Sequence, residues 1–278
     1  MPELPEVEYV ARQLREILIG RTIEGVEVSW TRSVQGMSPE EFAARVAGRR
    51  VVGVARRGKY LLVHLDDEET LIVHRRMSGN LVLSPPASDV LYVRVAFTLD
   101  DGRRVLYSDP RKFGRLTLAA NDDLPGLFAA LGPEPLDEAF TGEALLARLG
   151  RQQRAIKAAL LDQEVIAGLG NIYADESLYR AGIHPLRPAG SLSLDEAAAL
   201  RDAIQATLRT GIAHGGTTFG RHRDAYNEAG TNLEHVEVYR HTGQPCPRCG
   251  TPIQRIVVAQ RGTHFCPSCQ PMRGRRAT

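Results

Sequence analysis

The sequence has no cysteine before residue 246 and no Asp or Glu anywhere in residues 240–278. The first absence excludes a disulfide framework through the body of the chain. The second leaves the C-terminal stretch with unopposed positive charge from Arg240, Arg248, Arg255, Arg261, Arg273, Arg275 and Arg276. No run is long and apolar enough to span a membrane, and the N-terminus lacks a basic segment followed by an apolar one. The expected compartment is therefore the cytoplasm, where cysteines serve metals more readily than disulfides. There is no internal repeat and no low-complexity tract.

What is present is a chain of 278 residues with 43% apolar content, enough for roughly two domains with buried cores. The formal charge is only +2, so with seven cations in residues 240–278 the first 239 residues carry a net −5. Positive charge is segregated at the C-terminus. Modest overall charge does not exclude a polyanionic partner, because affinity follows the phosphates contacted locally.

Apolar residues Val7, Val10, Ala11, Leu14, Ile17 and Leu18 fall on one stripe, which predicts a helix over 5–19 stopped by Gly20. The period then shortens. Segments 22–29, 51–55, 60–65, 70–73, 90–99, 104–107 and 114–118 read as strands, with Asp66-Asp67 and Asp100-Asp101-Gly102 as hairpin turns and a short helix at 39–46. Gly132-Pro133-Glu134-Pro135 marks a hinge, and helices are expected at 141–150, 155–161, 172–181 and 194–214. The last has capping-box spacing, Ser193 with Glu196. The fold class is α+β. An antiparallel β-sandwich with a leading helix (1–131) precedes a helical domain (132–239) that ends in a Gly-, Thr- and Asn-rich loop. A metal-bound hairpin (240–278) closes the chain.

Cys246-Pro-Arg-Cys249 and Cys266-Pro-Ser-Cys269 stand sixteen residues apart. Paired C-x2-C turns at this separation offer four thiolates to one tetrahedral zinc. A zinc-stapled module rich in Arg and free of acids suits a polyanion, although many such modules are staples only.

Four other stretches carry chemistry, each with a plainer alternative. In Met1-Pro2-Glu3-Leu4-Pro5-Glu6, removal of Met1 would expose Pro2 as a secondary amine able to form an iminium with an aldehyde-like carbon, and Glu3 beside it could move protons. Prolines and acids also simply favour the first turn of a helix. Lys59, between a turn glycine and an apolar strand, could deliver a proton or hold a phosphate, or belong to a solvated cluster. Met77 and Phe113 sit at turn tips beside Arg75, Arg76, Arg111 and Lys112, so either they wedge into a base stack or they fold into the core. Lys157 and Asn171 flank a Gly168-Leu169-Gly170 turn between two helices, which is either a phosphate site or a plain helical hairpin. The third glycine of a dinucleotide fingerprint is missing.

In this order, these pieces resemble the formamidopyrimidine-DNA glycosylase and endonuclease VIII family of DNA repair enzymes, across nearly the whole chain. PELPE is closer to the formamidopyrimidine branch. The resemblance implies a β-sandwich, a helix-two-turn-helix and a zinc finger. It also implies a bifunctional glycosylase/lyase that flips oxidised bases such as 8-oxoguanine and formamidopyrimidines from duplex DNA and nicks the strand by β,δ-elimination. By the same resemblance Pro2 is the nucleophile and Glu3 the acid that assists ring opening. Lys59 is the phosphate-binding lysine that assists elimination, and Met77, Arg111 and Phe113 fill the void. Lys157 and Asn171 bind phosphate, Arg261 grips phosphate at the lesion, and Cys246, Cys249, Cys266 and Cys269 hold one structural zinc. The partner expected is double-stranded DNA with damaged bases or abasic sites. The protein is expected to act as a monomer at the nucleoid, not at a membrane.

Three departures stand out. Arg75-Arg76 replaces the usual Leu-Gly and would place two added cations beside the wedge. Tyr92 replaces a DNA-contacting histidine. The centre of the base-capping loop, 221–231, lacks the usual Gly- and Pro-rich stretch. Two alternatives follow: a same-fold enzyme shifted toward oxidised pyrimidines, or a non-catalytic binder of damaged DNA.

Overall fold

A computed structural model describes residues 1–84, 90–150, 152–220 and 222–272. Arg273, Arg275 and Arg276, counted above for their charge, and Arg221, which opens the 221–231 stretch, lie outside the described residues. The chain forms two compact units. One comprises Met1–Ala129 with Gly211–Leu233, the other Ala130–Thr210 with Glu234–Thr278. The loop that follows the last long helix thus groups with the N-terminal sheet and not with the helices that precede it in sequence.

In the first unit, helix α1 (Leu4–Leu18) buries the predicted stripe, with Val7, Val10, Ala11 and Leu14 all nearly inaccessible. Gly20 has φ +84°, as the stop requires, and its amide donates to Val51 O (2.8 Å), so the turn leads straight into the sheet. Helix α2 (Pro39–Val46) is capped by Ser38, whose Oγ accepts from Glu41 N (3.1 Å).

Among the described residues nine strands form one sheet: β1 (Thr22–Val28), β2 (Val34–Gln35), β3 (Arg49–Arg57), β4 (Tyr60–Leu65), β5 (Glu69–His74), β6 (Asn80–Ser84), β7 (Val93–Leu99), β8 (Arg104–Ser108) and β9 (Arg115–Ala120). Their order is β2-β9-β5-β4-β3-β1-β7-β8-β6. β1 and β3 share only two pairs, Thr22↔Arg50 and Ile23↔Arg49, and irregularities at Ile23/Gly25 and Val51/Gly53 flank that seam. The sheet turns there, and its halves become the layers of the predicted sandwich. One core joins both halves and both helices, with Phe42 edge-on to Phe97 at 6.5 Å.

Two strands are missing from the sequence reading, and a third starts later than expected. β6 lies between a glycine turn and Pro85-Pro86 and is too short to show a period, yet pairs along its whole length with β8. β2 is a two-residue strand parallel to β9. The strand expected from residue 90 begins at Val93, because Tyr92 adopts φ +62°.

The second unit contains α4 (Gly142–Leu149), α5 (Ile156–Leu161), α6 (Asn171–Arg180) and most of α7 (Leu194–Ala213), while the short α3 (Leu124–Leu127) closes the first. The capping box on α7 is reciprocal: Glu196 N donates to Ser193 Oγ (3.2 Å) and Ser193 N to Glu196 Oε2 (2.9 Å). Glu196 also holds Arg187, and that hydrogen bond draws its pKa down to about 2. Strands β10 (Gln254–Val258) and β11 (Arg261–Phe265) form the expected C-terminal hairpin. Among the described residues no helix is long and apolar enough to cross a membrane.

Leu14 is fully buried and lines a small apolar cavity of about 20 Å³ with Leu18, Phe97 and Val105. Leu14→Ala enlarges that void and is expected to cost about 3–5 kcal/mol in urea unfolding. A loss below about 1 kcal/mol would contradict its place at the centre of the core.

Candidate active site and metal centre

The N-terminal segment is fixed by an acid. Glu3 is the N-cap of α1, a position usually given to Ser, Thr, Asp or Asn, and it is 4% exposed. Its amide donates to Glu6 Oε2 (2.7 Å), while the other oxygen of Glu6 accepts from Thr217 N (2.7 Å). One buried carboxylate therefore ties residue 3 to the start of the 217–231 loop through two short, charge-assisted bonds. Gly216 (φ +79°) must be glycine, because a Cβ there would lie 2.6 Å from Glu6 Cγ. This accounts for the glycine immediately before Thr217. Pro2 is buried, and its nitrogen is acylated by Met1 in the full sequence. A tertiary amide is no nucleophile, so amine chemistry at Pro2 requires the loss of Met1.

Lys59 follows Gly58 (φ +55°) at the β3–β4 turn and is 7% exposed. The cross-strand pair Tyr60↔His74 brings β5 beside it, with the Tyr60 and His74 rings edge-on at 4.6 Å. Burial, with the charges of Arg76 and Lys59, pushes His74 down to about 4. His74 Nδ1 accepts from Arg76 N (3.1 Å), so the proton of the neutral ring sits on Nε2, and the ring lies within range of the Lys59 charge. Sequence reading passed over His74. Strand pairing, which register alone reveals, is the signal that places it by Lys59.

The two bulky tips are exposed. Met77 is 49% and Phe113 45% accessible, and the Arg111 guanidinium lies 4.9 Å over the Phe113 ring. The structure thus selects the outward-pointing alternative. Both turns hang on Asp109, which is fully buried. Its carboxylate accepts from Ser78 Oγ (2.5 Å), Gly114 N (2.8 Å), Arg111 N (3.2 Å) and the Tyr107 hydroxyl (3.4 Å). Lys112 (φ +61°) sets its ammonium 3.9 Å over the single tryptophan, Trp30. Tyr92 is exposed, its carbonyl accepts from Asp109 N (3.0 Å), and Arg94 lies 5.9 Å over its ring.

One expectation is corrected here. Arg76 is exposed, but Arg75 is not a cation beside the wedge. It is 1% exposed and spends its donors inside the unit.

In the second unit, Lys157 is fully buried, its ammonium paired with Asp175 and donating to Asn171 O (2.9 Å). The sequence reading placed this ammonium on phosphate. Here it is consumed in locking α5 to the first turn of α6. Asp175 Oδ2 accepts from His264 N (2.9 Å), and Asn171 Nδ2 donates to Gly262 O (3.0 Å), so α6 is bonded directly to β11. Tyr239, another residue the sequence reading missed, stacks edge-on to His264 at 5.0 Å with its hydroxyl 3.5 Å from Asn171 Nδ2. Arg261 is exposed at the start of β11, after a two-residue turn in which Ala259 (φ +49°) and Gln260 (φ +59°) are both left-handed. Neither residue is Gly or Asn, so this turn stores strain of order 1–2 kcal/mol per residue where Arg261 is presented.

The four cysteine sulfurs lie within 4.8 Å of one another, with 3.5 Å for Cys249–Cys266 and Cys249–Cys269 and 3.8 Å for Cys246–Cys269. Sulfurs about 2.3 Å from a shared zinc would stand at such separations. Burial and the neighbouring Cys249 thiol push Cys269 up to about 12, whereas the hydroxyl and amide of Thr251 draw Cys249 down to about 6. Four crowded thiols do not ionise together without a cation, and the set fits one zinc. The Tyr179 hydroxyl, 3.2 Å from Cys246 Sγ, adds an outer contact.

Three family models match the chain. They are the formamidopyrimidine-DNA glycosylase N-terminal domain over residues 1–116, the formamidopyrimidine-DNA glycosylase H2TH domain over 131–222, and a zinc finger found in FPG and IleRS over 243–271. A formamidopyrimidine-DNA glycosylase of a Roseiflexus species is 52% identical, over 97% of this chain and 100% of its own. That of Chloroflexus aggregans is 53% identical, over 97% and 98%. Among solved structures, Lactococcus lactis Fpg complexed with DNA containing an abasic site superposes with TM-score 0.91 at 37% identity, over 97% of this chain and 99% of that one. The Thermus thermophilus FPG protein superposes with TM-score 0.87 at 40% identity, over 98% and 100%.

The purified chain should carry one zinc. A structural site of this type contributes about 10–16 kcal/mol near neutral pH, so chelation should unfold the β10–β11 hairpin while the first unit keeps its structure. Metal assay with backbone amide exchange checks this. A metal-free chain whose hairpin amides stay protected would contradict it.

Proposed function

The chain belongs to the formamidopyrimidine-DNA glycosylase family and is a DNA glycosylase for oxidised bases; from that premise we propose that it is bifunctional, excising the base and then cutting the strand through Pro2. The observation that carries this reading is the Glu6 carboxylate, which fixes residue 3 on one side and Thr217 on the other. An enzyme whose nucleophile is a chain terminus must hold that terminus still, and pure DNA binding needs no such clamp.

Once Met1 is removed, Pro2 is a secondary amine whose α-amino pKa near ~8 leaves a useful fraction unprotonated. Its lone pair attacks C1′ of the damaged nucleotide. The base departs with the electrons of the glycosidic bond and takes up a proton, and Glu3 protonates the ring oxygen as the sugar opens. The iminium then acts as an electron sink: loss of a C2′ proton expels the 3′ phosphate, and a second elimination expels the 5′ phosphate. Lys59 holds the flanking phosphate, with the neutral His74 ring within range of its charge. None of this is possible inside an intact stack, so the base must be extruded. Met77, Phe113 and Arg111, outward-facing and braced by Asp109, fill the gap and partly offset an unstacking cost of a few kcal/mol. Asn171 and Arg261 contact phosphate, and Lys157 positions Asn171 from beneath. The zinc holds the hairpin that carries Arg261. The enzyme works as a single chain on bacterial nucleoid DNA in the cytoplasm, with oxidised purines as the main substrates. A relative from Lactococcus lactis has been solved with DNA containing an oxidised pyrimidine, which makes that class the second reading.

Borohydride should trap the protein covalently on duplex DNA bearing 8-oxoguanine, and intact-mass analysis should show Met1 missing. Pro2→Gly should lower the trap yield at least tenfold, in line with loss of a covalent nucleophile. Trapping at full yield without Pro2 would refute the nucleophile. Strong preference for thymine glycol over 8-oxoguanine would refute the purine assignment.

A further inference from the structure

Arg75 is the largest fully buried side chain among the described residues, and it forms no ion pair there. A buried guanidinium without a carboxylate is costly unless its donors are matched by acceptors. Here they are, and the acceptors come from three separate segments of the first unit. Nε donates to Gly79 O (2.8 Å), closing the turn that carries Met77, whose base also has Gly79 N on Arg75 O (3.0 Å). Nη1 donates to Glu6 O (3.3 Å) in the first turn of α1. Nη2 reaches Asn80 Oδ1 (2.8 Å), His222 Nδ1 (2.9 Å) and Arg223 O (3.0 Å). His222 must therefore be the neutral tautomer with its hydrogen on Nε2. Asn80 completes the knot, since the same Oδ1 accepts from Arg223 N (3.0 Å).

The loop carries its own supports further on. Leu83 N donates to Ala225 O (2.7 Å), Ala225 N to Gln13 Oε1 (2.8 Å), and Gln13 Nε2 to Asp224 Oδ2 (2.7 Å). These contacts seat residues 224–225 on α1 and β6. Of the contacts described, only those of Arg75 and Asn80 hold residues 222–223, the part of the loop adjoining the turn that carries Met77. An apolar side chain at position 75 could fill the space but could donate to none of these acceptors.

We propose that Arg75 is a positioning residue that keeps the 217–231 loop docked against the N-terminal segment before DNA arrives, so that the wall enclosing an extruded base is already in place. This rests on the reading of the loop as the cap over the flipped base, and it makes Arg75 a determinant of base excision but not of strand cutting. A sugar without a base has nothing for the loop to enclose. Arg75 touches no reacting atom in this account. It acts through His222 and Arg223.

The test uses full-length, zinc-loaded Arg75→Leu under single turnover, on two duplexes: one with 8-oxoguanine and one with a preformed abasic site. Base release is expected to fall at least about tenfold while nicking of the abasic site stays within about twofold, the pattern of a mispositioned pocket with intact chemistry. Amides of residues 222 and 223 are expected to exchange faster. Equal changes on the two substrates, or unchanged exchange at these amides, would overturn the proposal. Should Arg75→Leu fail to fold, His222→Ala removes one acceptor contributed by the loop and leaves the guanidinium its other partners. The same split is expected in smaller measure, and an equal loss on both substrates would count against the tether. If the wild-type chain releases no 8-oxoguanine, the proposed function fails, whereas the exchange comparison still decides the tether.

Discussion

Two hydrogen bonds to one carboxylate hold the N-terminal end of this protein. Glu6, 2% exposed, receives Glu3 N on one oxygen and Thr217 N on the other. A chain terminus has no covalent neighbour on one side and little surface to bury, so hydrophobic packing alone cannot immobilise it. A charged acceptor takes over that task at a short helix start where the N-cap is an unusual glutamate. Everything asked of residues 2 and 3 depends on this anchor, and the loop that begins at Thr217 depends on it equally.

The same device recurs wherever a segment must remain exposed and yet rigid. Asp109 holds the turns that carry Met77 and Phe113, with four donors on two oxygens. Asp175 ties Lys157 to the amide of His264 and so joins a helix to the zinc hairpin. Glu176 accepts the amides of Glu237, Val238 and Tyr239 just ahead of that hairpin. In each case a buried acid organises backbone amides, and the residues that face outward are left free of that duty. The metal does the same for the last hairpin by covalent means, since its small core of Tyr179, Val238, Ile253 and cysteines is too slight to stand alone.

Much of this was legible in the sequence, because it is local. The C-x2-C spacing specified the sulfur cluster, the α1 stripe its buried face, and Ser193 with Glu196 the cap of α7. PELPE, Lys59 and the two wedge turns stood in the order of a known repair family. What was hidden depends on contacts between distant residues. β6 carries no period of its own and exists because β8 pairs with it. His74 gains its place beside Lys59 through register. Arg75 read as a cation beside the wedge and Lys157 as a phosphate contact, since nothing adjacent in sequence announces Asn80, His222 and Arg223 around one or Asp175 against the other. A charged residue is buried only when its partners arrive from elsewhere in the chain, and sequence spacing does not report those partners.

The anchor can be tested without touching Pro2, the proposed nucleophile. Glu6→Gln keeps size and one acceptor oxygen but turns an NH2 group toward an amide donor, so one of the two bonds is lost. Thermal unfolding and borohydride trapping on the same sample, with abasic DNA, separate folding from positioning. The account predicts a folded protein whose trapping yield drops by about tenfold or more. A folded Glu6→Gln chain that traps at the wild-type yield would contradict it.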